Sequence, residues 1–235
     1  MSEKEFILAL KKLNIELNEN QILKFRVYCE FLIEYNQKTN LSAIKEEKEV
    51  YLKHFYDSAI IFKYIDFADK KVLDIGSGAG FPGVVLKIID PSILLYCLDS
   101  NGKKTKFLEL LSEKINIEYE VINDRAENYI SDNREKFDFV VARAVKSMPV
   151  LAELCIPFVK IGGHFIAYKG QIDETIENGI FAIDELGGKV LKVYNEFLPI
   201  ENSARSLVIV QKMCKTKDVY PRKYDKINKK PLQKR

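Results

Sequence analysis

The 235-residue chain is 47% hydrophobic and 30% charged, with a formal net charge of +3. This is ordinary for one soluble α/β domain with an appendage, and long enough for a sizeable core. No stretch approaches the roughly 20 apolar residues of a membrane span, and the mixed-charge start MSEKEFILALKKLNIE lacks the marks of a cleaved signal peptide. Cys29, Cys97, Cys155 and Cys214 are scattered without a CxxC pair, and the histidines are His54 and His164. No metal site is expected, and free thiols in a reducing cytoplasm fit best.

Residues 1–66 read as a helical extension. Ile22, Phe25, Cys29, Leu32 and Ile33 recur at helical spacing and make one apolar stripe, with Asn18 placed to cap its start. NQKTNLS (Asn36–Ser42) breaks the pattern. A second helix is predicted from about Glu46 to Tyr64, with Leu52, Phe55, Ala59 and Phe62 buried. His54, Asp57, Ser58 and Ile61 share a neighbouring face. A histidine, an acid and a hydroxyl together invite a triad reading. A triad need not lie on one helix, however, and no G-x-S-x-G elbow is present, so a supporting or substrate-side role fits better.

After Asp66 the texture changes to alternating strands and helices. Strands are predicted at Lys71–Ile75, Leu94–Leu98 (ending in Asp99), Tyr119–Ile122, Asp138–Ala142 and His164–Tyr168. Helices are predicted at Pro82–Ile89, Lys103–Lys114, Met148–Val159 and about Asp173–Leu186. Val190–Phe197 and Ser206–Lys212 have only PIENSAR between them and should pair antiparallel. The expected fold is α/β: a Rossmann-like, seven-stranded doubly wound sheet with an antiparallel edge. Residues 67–213 would form the ligand-binding domain and residues 214–235 a basic tail. From Lys215 to Arg235 nine Lys/Arg face two Asp, which leaves 28 bases against 32 acids in residues 1–214. Such a tail often contacts nucleic acid, and a solvated end is the plain alternative.

The chain is organised around VLDIGSGAGFPG (Val72–Gly83). A buried strand ends, glycines bring the backbone close to a ligand, and Pro82 is placed to open a helix. GAGFPG formally satisfies the dinucleotide pattern G-x-G-x-x-G, a weak signal alone. Asp74 argues the other way, because a carboxylate two residues before Gly76 repels a pyrophosphate and suits a ligand with a positive centre. Gly76, Gly78 and Gly80 also make a longer run than a pyrophosphate needs. Asp99, closing the second strand, is placed to accept from ribose hydroxyls. S-adenosylmethionine, with an adenosine, a sulfonium and no phosphate, matches best, and a dinucleotide-dependent oxidoreductase stays as the alternative.

Beyond the loop, NLSAI (Asn40–Ile44), HFYDS (His54–Ser58), DIGSGAGFPG (Asp74–Gly83) and LDSNGKKTKFL (Leu98–Leu108) form a set. RAE (Arg125–Glu127), ARA (Ala142–Ala144), YKGQ (Tyr168–Gln171) and YPRKYDKINKKPL (Tyr220–Leu232) complete it. Together they resemble the ribosomal small-subunit methyltransferase G family (RsmG, or GidB) over nearly the whole chain. The resemblance implies a class I S-adenosylmethionine-dependent fold and methyl transfer to N7 of one guanine in 16S rRNA. It implies cofactor contacts at Gly76, Phe81, Ala126 and Glu127, to which the reading of the loop and of the second strand's end adds Ser77, Gly78 and Asp99. Arg143, at the end of the fourth strand, is implied beside the methionyl end of the cofactor or the incoming base, and is the one catalytic candidate. Ala79, where relatives often have proline, and YDKIN, where they tend to have Gly-Thr-Pro-Asn, depart from the family pattern.

Guanine N7 carries a lone pair and no proton, which fits the lack of an Asn/Asp-Pro-Pro-Tyr box or a Pro-Cys nucleophile. Catalysis is then mainly proximity and orientation. Lys223, Lys229, Lys230, Lys234, Arg235 and Arg222, with Tyr220 and Tyr224 interleaved, are expected to grip phosphates, with Lys103, Lys104 and Lys106 as further candidates. On this reading, deleting residues 215–235 weakens RNA binding and leaves cofactor affinity intact. A methyltransferase acting on a small molecule or protein is the competing acceptor class. The expected protein is a cytoplasmic monomer whose partner is 16S rRNA or the small ribosomal subunit.

Overall fold

The structure is a computed structural model and describes residues 1–39, 41, 44–143, 146–170 and 175–234. Residues 40, 42 and 43 of the NLSAI motif, Ala144, Gln171, the expected helix start at Asp173 and Arg235 lie outside the described residues.

Helices α1 (Glu3–Lys11) and α2 (Glu19–Thr39) open the chain. Asn18 caps α2 as expected: its carboxamide oxygen accepts from Gln21 N–H, and Gln21 Oε1 accepts from Asn18 N–H, each at 2.9 Å. The buried stripe of α2 is Gln21, Phe25, Tyr28, Cys29, Leu32 and Asn36, so Ile22 and Ile33 lie at its margins. Two polar residues inside the stripe account for the difference from the apolar pattern. Gln21 is buried because its amide donates to Ile88 and Ile89 carbonyls.

The second predicted helix is a composite. It runs as α3 (Glu47–Glu49), a π-helical stretch (Val50–Tyr56), α4 (Asp57–Ala59) and a 3₁₀ turn (Ile60–Lys63). The wider π turn rotates the helix faces beyond it. Ile61, Ser58 and Asp57 are buried along with Leu52, Phe55 and Ala59, while Phe62 is only half-buried. π turns are uncommon and often mark functional positions.

The sheet contains β1 (Lys71–Ile75), β2 (Leu94–Asp99), β3 (Glu120–Asn123), β4 (Phe137–Arg143), β5 (Val159–Lys169), β6 (Gly188–Phe197) and β7 (Ala204–Lys212). Strand order is β3-β2-β1-β4-β5-β7-β6, parallel except for β7, which is antiparallel to β5 and β6. Between the strands run α5 (Gly83–Ile89), α6 (Gly102–Ile115), α7 (Ala126–Tyr129), α8 (Met148–Cys155) and α9 (Thr175–Glu185), and α10 (Tyr224–Lys229) follows β7.

Alternating residues bury both sheet faces, as a covered parallel sheet requires. Val72, Cys97, Phe139 and Val141 pack in one core cluster with Phe6, Phe25 and Phe55 of the N-terminal helices. Leu73, Leu98, Val140 and Ala142 pack in the other with α8 and α9. Among the described residues, no helix is long and apolar enough to cross a membrane.

The tail is folded. Tyr220 and Ile227 belong to the second core cluster, and Thr216 is fully buried. Its sequence signal is hidden because the anchoring side chains are few and lie between lysines. Strand order reverses direction on either side of β1, between β2 and β4, and open α/β sheets place ligand crevices at the carboxyl ends around such a switch.

Candidate cofactor cleft

The loop after β1 is fixed by β2. Gly76 and Ser77 N–H both reach Leu98 C=O, at 2.8 and 3.2 Å. Gly76 has φ +73°, and a side chain built there would have nothing within 4 Å. The backbone at that point is therefore a ligand-facing cradle that only glycine enters without strain. Ser77 is buried and spends its hydroxyl on Asp74 C=O at 2.8 Å. Gly78 N–H donates to Asp99 Oδ2, and Asn101 N–H to Asp99 Oδ1, both at 2.9 Å. Asp99 thus holds the loop closed from the end of β2.

Asp74 is fully buried. Its Oδ2 accepts from Gly83 N–H at 2.8 Å, which starts α5 there and leaves Pro82 just ahead of the helix, one position earlier than predicted. Its Oδ1 is buried with no hydrogen-bond partner among the described residues. Burial pushes the carboxyl up to about 7, opposed by the Gly83 N–H and by Arg143, and reinforced by Asp99. Asp74 is not itself in the wall of the adjoining cleft, and its orphaned acidic oxygen is a group that a nearby cation would stabilise.

The cleft itself has a volume of about 280 Å³ and is lined by Ile75, Gly76, Leu98, Asp99, Ser100, Asp124, Arg125, Ala126, Glu127, Lys146, Leu151, Leu154 and Tyr224. It gathers Gly76, Asp99, Ala126 and Glu127 from the expected set, and Ser77 and Gly78 shape its floor. Lys146, Leu151, Leu154 and Tyr224 are additions that the sequence pattern does not flag as cofactor residues.

Phe81 and Arg143 are not among its walls. The Phe81 ring stacks on His54 (centroids 4.2 Å apart) and Tyr28 (5.4 Å), and the Arg143 guanidinium lies 5.0 Å from its centre. Arg143 donates to Lys53 C=O at 2.8 Å and Asp57 Oδ2 at 3.2 Å, and its Nη2 lies 2.8 Å from His54 Nδ1. A guanidinium only donates, so His54 presents a lone pair at Nδ1. Burial first, and Arg143 second, push His54 down to about 3, leaving it neutral. Arg205, from β7, donates Nε to Asp57 Oδ1 at 3.1 Å. No triad exists here, because the buried Ser58 hydroxyl donates to His54 C=O at 2.6 Å. The HFYDS motif instead supplies the seat of Arg143.

The helical extension also grips the glycine loop. Tyr28 OH donates to Ala79 C=O, and a Cβ at Gly80 would lie 2.6 Å from that hydroxyl. Removing the hydroxyl leaves a buried carbonyl unpaired. We expect Tyr28→Phe to lower stability by about 1–2 kcal/mol, or roughly 2–8 °C in Tm for a domain of this size. An unchanged melting curve would show that the bond carries no stability.

The tail departs most from expectation. Arg222 makes a two-pronged pair with fully buried Glu153 (Nε–Oε1 2.7 Å, Nη2–Oε2 2.6 Å), and its own N–H adds a third bond at 2.9 Å. Arg222 is thus committed to the fold, and so is buried Tyr220, whose carbonyl accepts from Arg134. Neither is available to grip phosphate. Tyr224 stands in the cleft wall, so deleting residues 215–235 would remove part of that wall. Of the α6 lysines, Lys104 lies 3.8 Å from Asp99 and Lys106 pairs with Glu109 at 3.0 Å.

Parallel strands with an acid at the end of β1, a glycine cradle and a second acid at the end of β2 define a Rossmann-like methyltransferase fold, and solved structures agree. The fold overlays a methyltransferase from Pyrococcus furiosus with a TM-score of 0.52 at 13% identity, covering 66% of this chain and 81% of that one. It overlays M. jannaschii TYW2, solved in complex with AdoMet, with a TM-score of 0.50 at 14% identity, covering 64% and 72%. Residues 21–208 match the GidB family, rRNA small subunit methyltransferase G. The chain is 44% identical to the ribosomal RNA small subunit methyltransferase G of Macrococcus caseolyticus over 100% of both chains. It is likewise 44% identical to that of Oceanobacillus iheyensis over 99% of this chain and 100% of that one. The chain belongs to the rRNA small subunit methyltransferase G family.

Proposed function

We propose that this protein transfers a methyl group from S-adenosyl-L-methionine to N7 of a specific guanine in 16S rRNA. The observation that carries the donor assignment is the open Gly76 cradle and Asp99 in one cleft, with the partnerless, buried Asp74 oxygen at the end of β1 just before the loop. A dinucleotide would bring a pyrophosphate beside that acid. The acceptor rests on family membership, since fold alone does not choose a methyl acceptor.

When bound, S-adenosylmethionine supplies an electrophilic methyl on a sulfonium. Gly76, Ser77, Gly78 and the main chain at Phe81 would shape its seat, Asp99 would accept from the ribose hydroxyls, and Ala126 and Glu127 would bound the adenine end. Arg143 orients the incoming base, at O6 as arginines do with guanine edges. Guanine N7 has no proton to lose, so no side chain need act as a base, and holding the reacting atoms in line in a dry site is the main contribution. The target base must be accessible or turned outward from folded rRNA. The division into 1–66, 67–213 and 214–235 is then one of roles: seat for Arg143 and loop clamp, donor site, and cleft wall with a basic outer surface. The protein works as a cytoplasmic monomer on 16S rRNA or the small subunit.

Titration calorimetry of the wild type with S-adenosylmethionine and with NAD(H) tests the donor. Binding of the first alone is expected, and binding of NAD(H) alone would sink the reading. Asp74 gives a second test. Its raised value means that folding favours the protonated form, so this contribution is present below about pH 4 and is lost as pH rises through about 7. Asp74→Asn removes this titrating group. The variant is expected to gain stability over wild type between pH 4 and 8, by up to about 4 kcal/mol. It is also expected to bind cofactor at least tenfold more weakly at pH 8. Wild-type affinity should fall as pH drops below 7, because binding a cation there draws off a proton. A variant whose affinity and pH profile match wild type would contradict this role.

A further inference from the structure

Tyr224 sits far from the glycine loop in sequence, yet it lines the same cleft. We infer that the Tyr224 ring is the wall against which the adenine of the cofactor lies, and that cofactor binding and tail docking reinforce one another. This rests on the S-adenosylmethionine reading.

Four observations carry it. Leu98, Ala126, Leu151 and Leu154 give the cleft that Tyr224 closes an apolar stretch suited to a flat heterocycle, set among the polar Ser100, Asp124, Arg125, Glu127 and Lys146. The ring has a fixed place: the Arg125 guanidinium lies 5.7 Å and the Lys146 ammonium 5.4 Å from its centre. Its main chain is tied to the same wall, since Tyr224 N–H donates to Glu127 Oε1 at 3.3 Å. The flanking chain is pinned on both sides, by the Arg222–Glu153 pair before it and by fully buried Ile227 after it. The ring is therefore in position before a ligand arrives, and the ordering cost of binding is small.

An aromatic face against a base contributes through the ring and not the hydroxyl. Tyr224→Ala is expected to raise the Kd for S-adenosylmethionine and for S-adenosylhomocysteine alike, roughly tenfold, because the methyl is remote from the adenine. Tyr224→Phe should stay within about twofold of wild type. By reciprocity, saturating cofactor should slow tryptic cleavage after Lys223, Lys226 and Lys229 in the wild-type protein, a readout that does not depend on any variant folding. Wild-type affinity in Tyr224→Ala, or cleavage of the tail at the same rate with and without cofactor, would overturn the inference. Failure of the wild type to bind either compound would overturn the donor reading and this inference with it.

Discussion

Arg222→Ala is expected to destabilise the protein by about 3 kcal/mol. Glu153 has a side chain 0% exposed, and its carboxylate is held by both prongs of the Arg222 guanidinium and by the Arg222 N–H. The substitution leaves that last bond and removes the counter-charge. An uncompensated charge in a core costs roughly 3–5 kcal/mol when one partner of a buried pair is taken away. For a domain of this size the fall in Tm is about 6–12 °C. Replacing both partners, as in Glu153→Met with Arg222→Met, should recover much of the loss, because an apolar pair of similar volume needs no desolvation. Thermal and urea denaturation of the single and double variants read this directly. A single variant as stable as wild type would mean that the tail is not fastened by this pair.

Arg143→Ala is expected to lower the methyl-transfer rate at saturating RNA and cofactor by about a hundredfold or more, equivalent to about 2.7 kcal/mol of barrier. The guanidinium is fixed from four directions, by Lys53 C=O, Asp57, His54 and the Phe81 face. Such pre-organisation is what an orienting donor needs. The fold should survive, since Asp57 keeps Arg205 at 3.1 Å. Arg143→Lys should not restore the rate, because an ammonium lacks the planar fork that meets three acceptors at once. Single-turnover kinetics with 16S rRNA measure the rate, and calorimetry measures cofactor affinity. A variant with wild-type rate and wild-type cofactor affinity would remove Arg143 from the site.

The parts of the site whose chemistry is local are legible in the sequence. The alternation of β1 and β2, the glycines between them, and the two acids at their ends are each visible within a short window, and the structure brings Gly76 and Asp99 into one cleft. The rest depends on residues far apart in the chain. Arg143, Asp57 and Arg205 meet from β4, the composite helix and β7, and no periodicity links them. The π turn that sets Asp57 has no propensity signature, so regular helical spacing exchanges Phe62 for Ile61 on the buried face of that helix. The tail reads as a basic surface because its lysines outnumber the anchors Tyr220, Arg222 and Ile227. One clue is present: Glu153 stands alone in the apolar helix MPVLAELC, and a buried acid requires a base from elsewhere. Gly78 and Ser77 look like ligand contacts in the motif, yet their polar groups turn inward to Asp99 and Asp74 and set the loop's shape.

The most direct measurement of the central claim is the methylation state of one nucleotide. A strain lacking this gene, and the same strain carrying it again, should be compared by mapping N7-methylguanine along 16S rRNA through borohydride reduction and aniline cleavage. One N7-methylguanine should be missing in the deletion strain, should return with the wild-type protein, and should stay absent with Arg143→Ala. An identical N7-methylguanine map with and without the gene would contradict the proposed acceptor and leave this fold with another substrate.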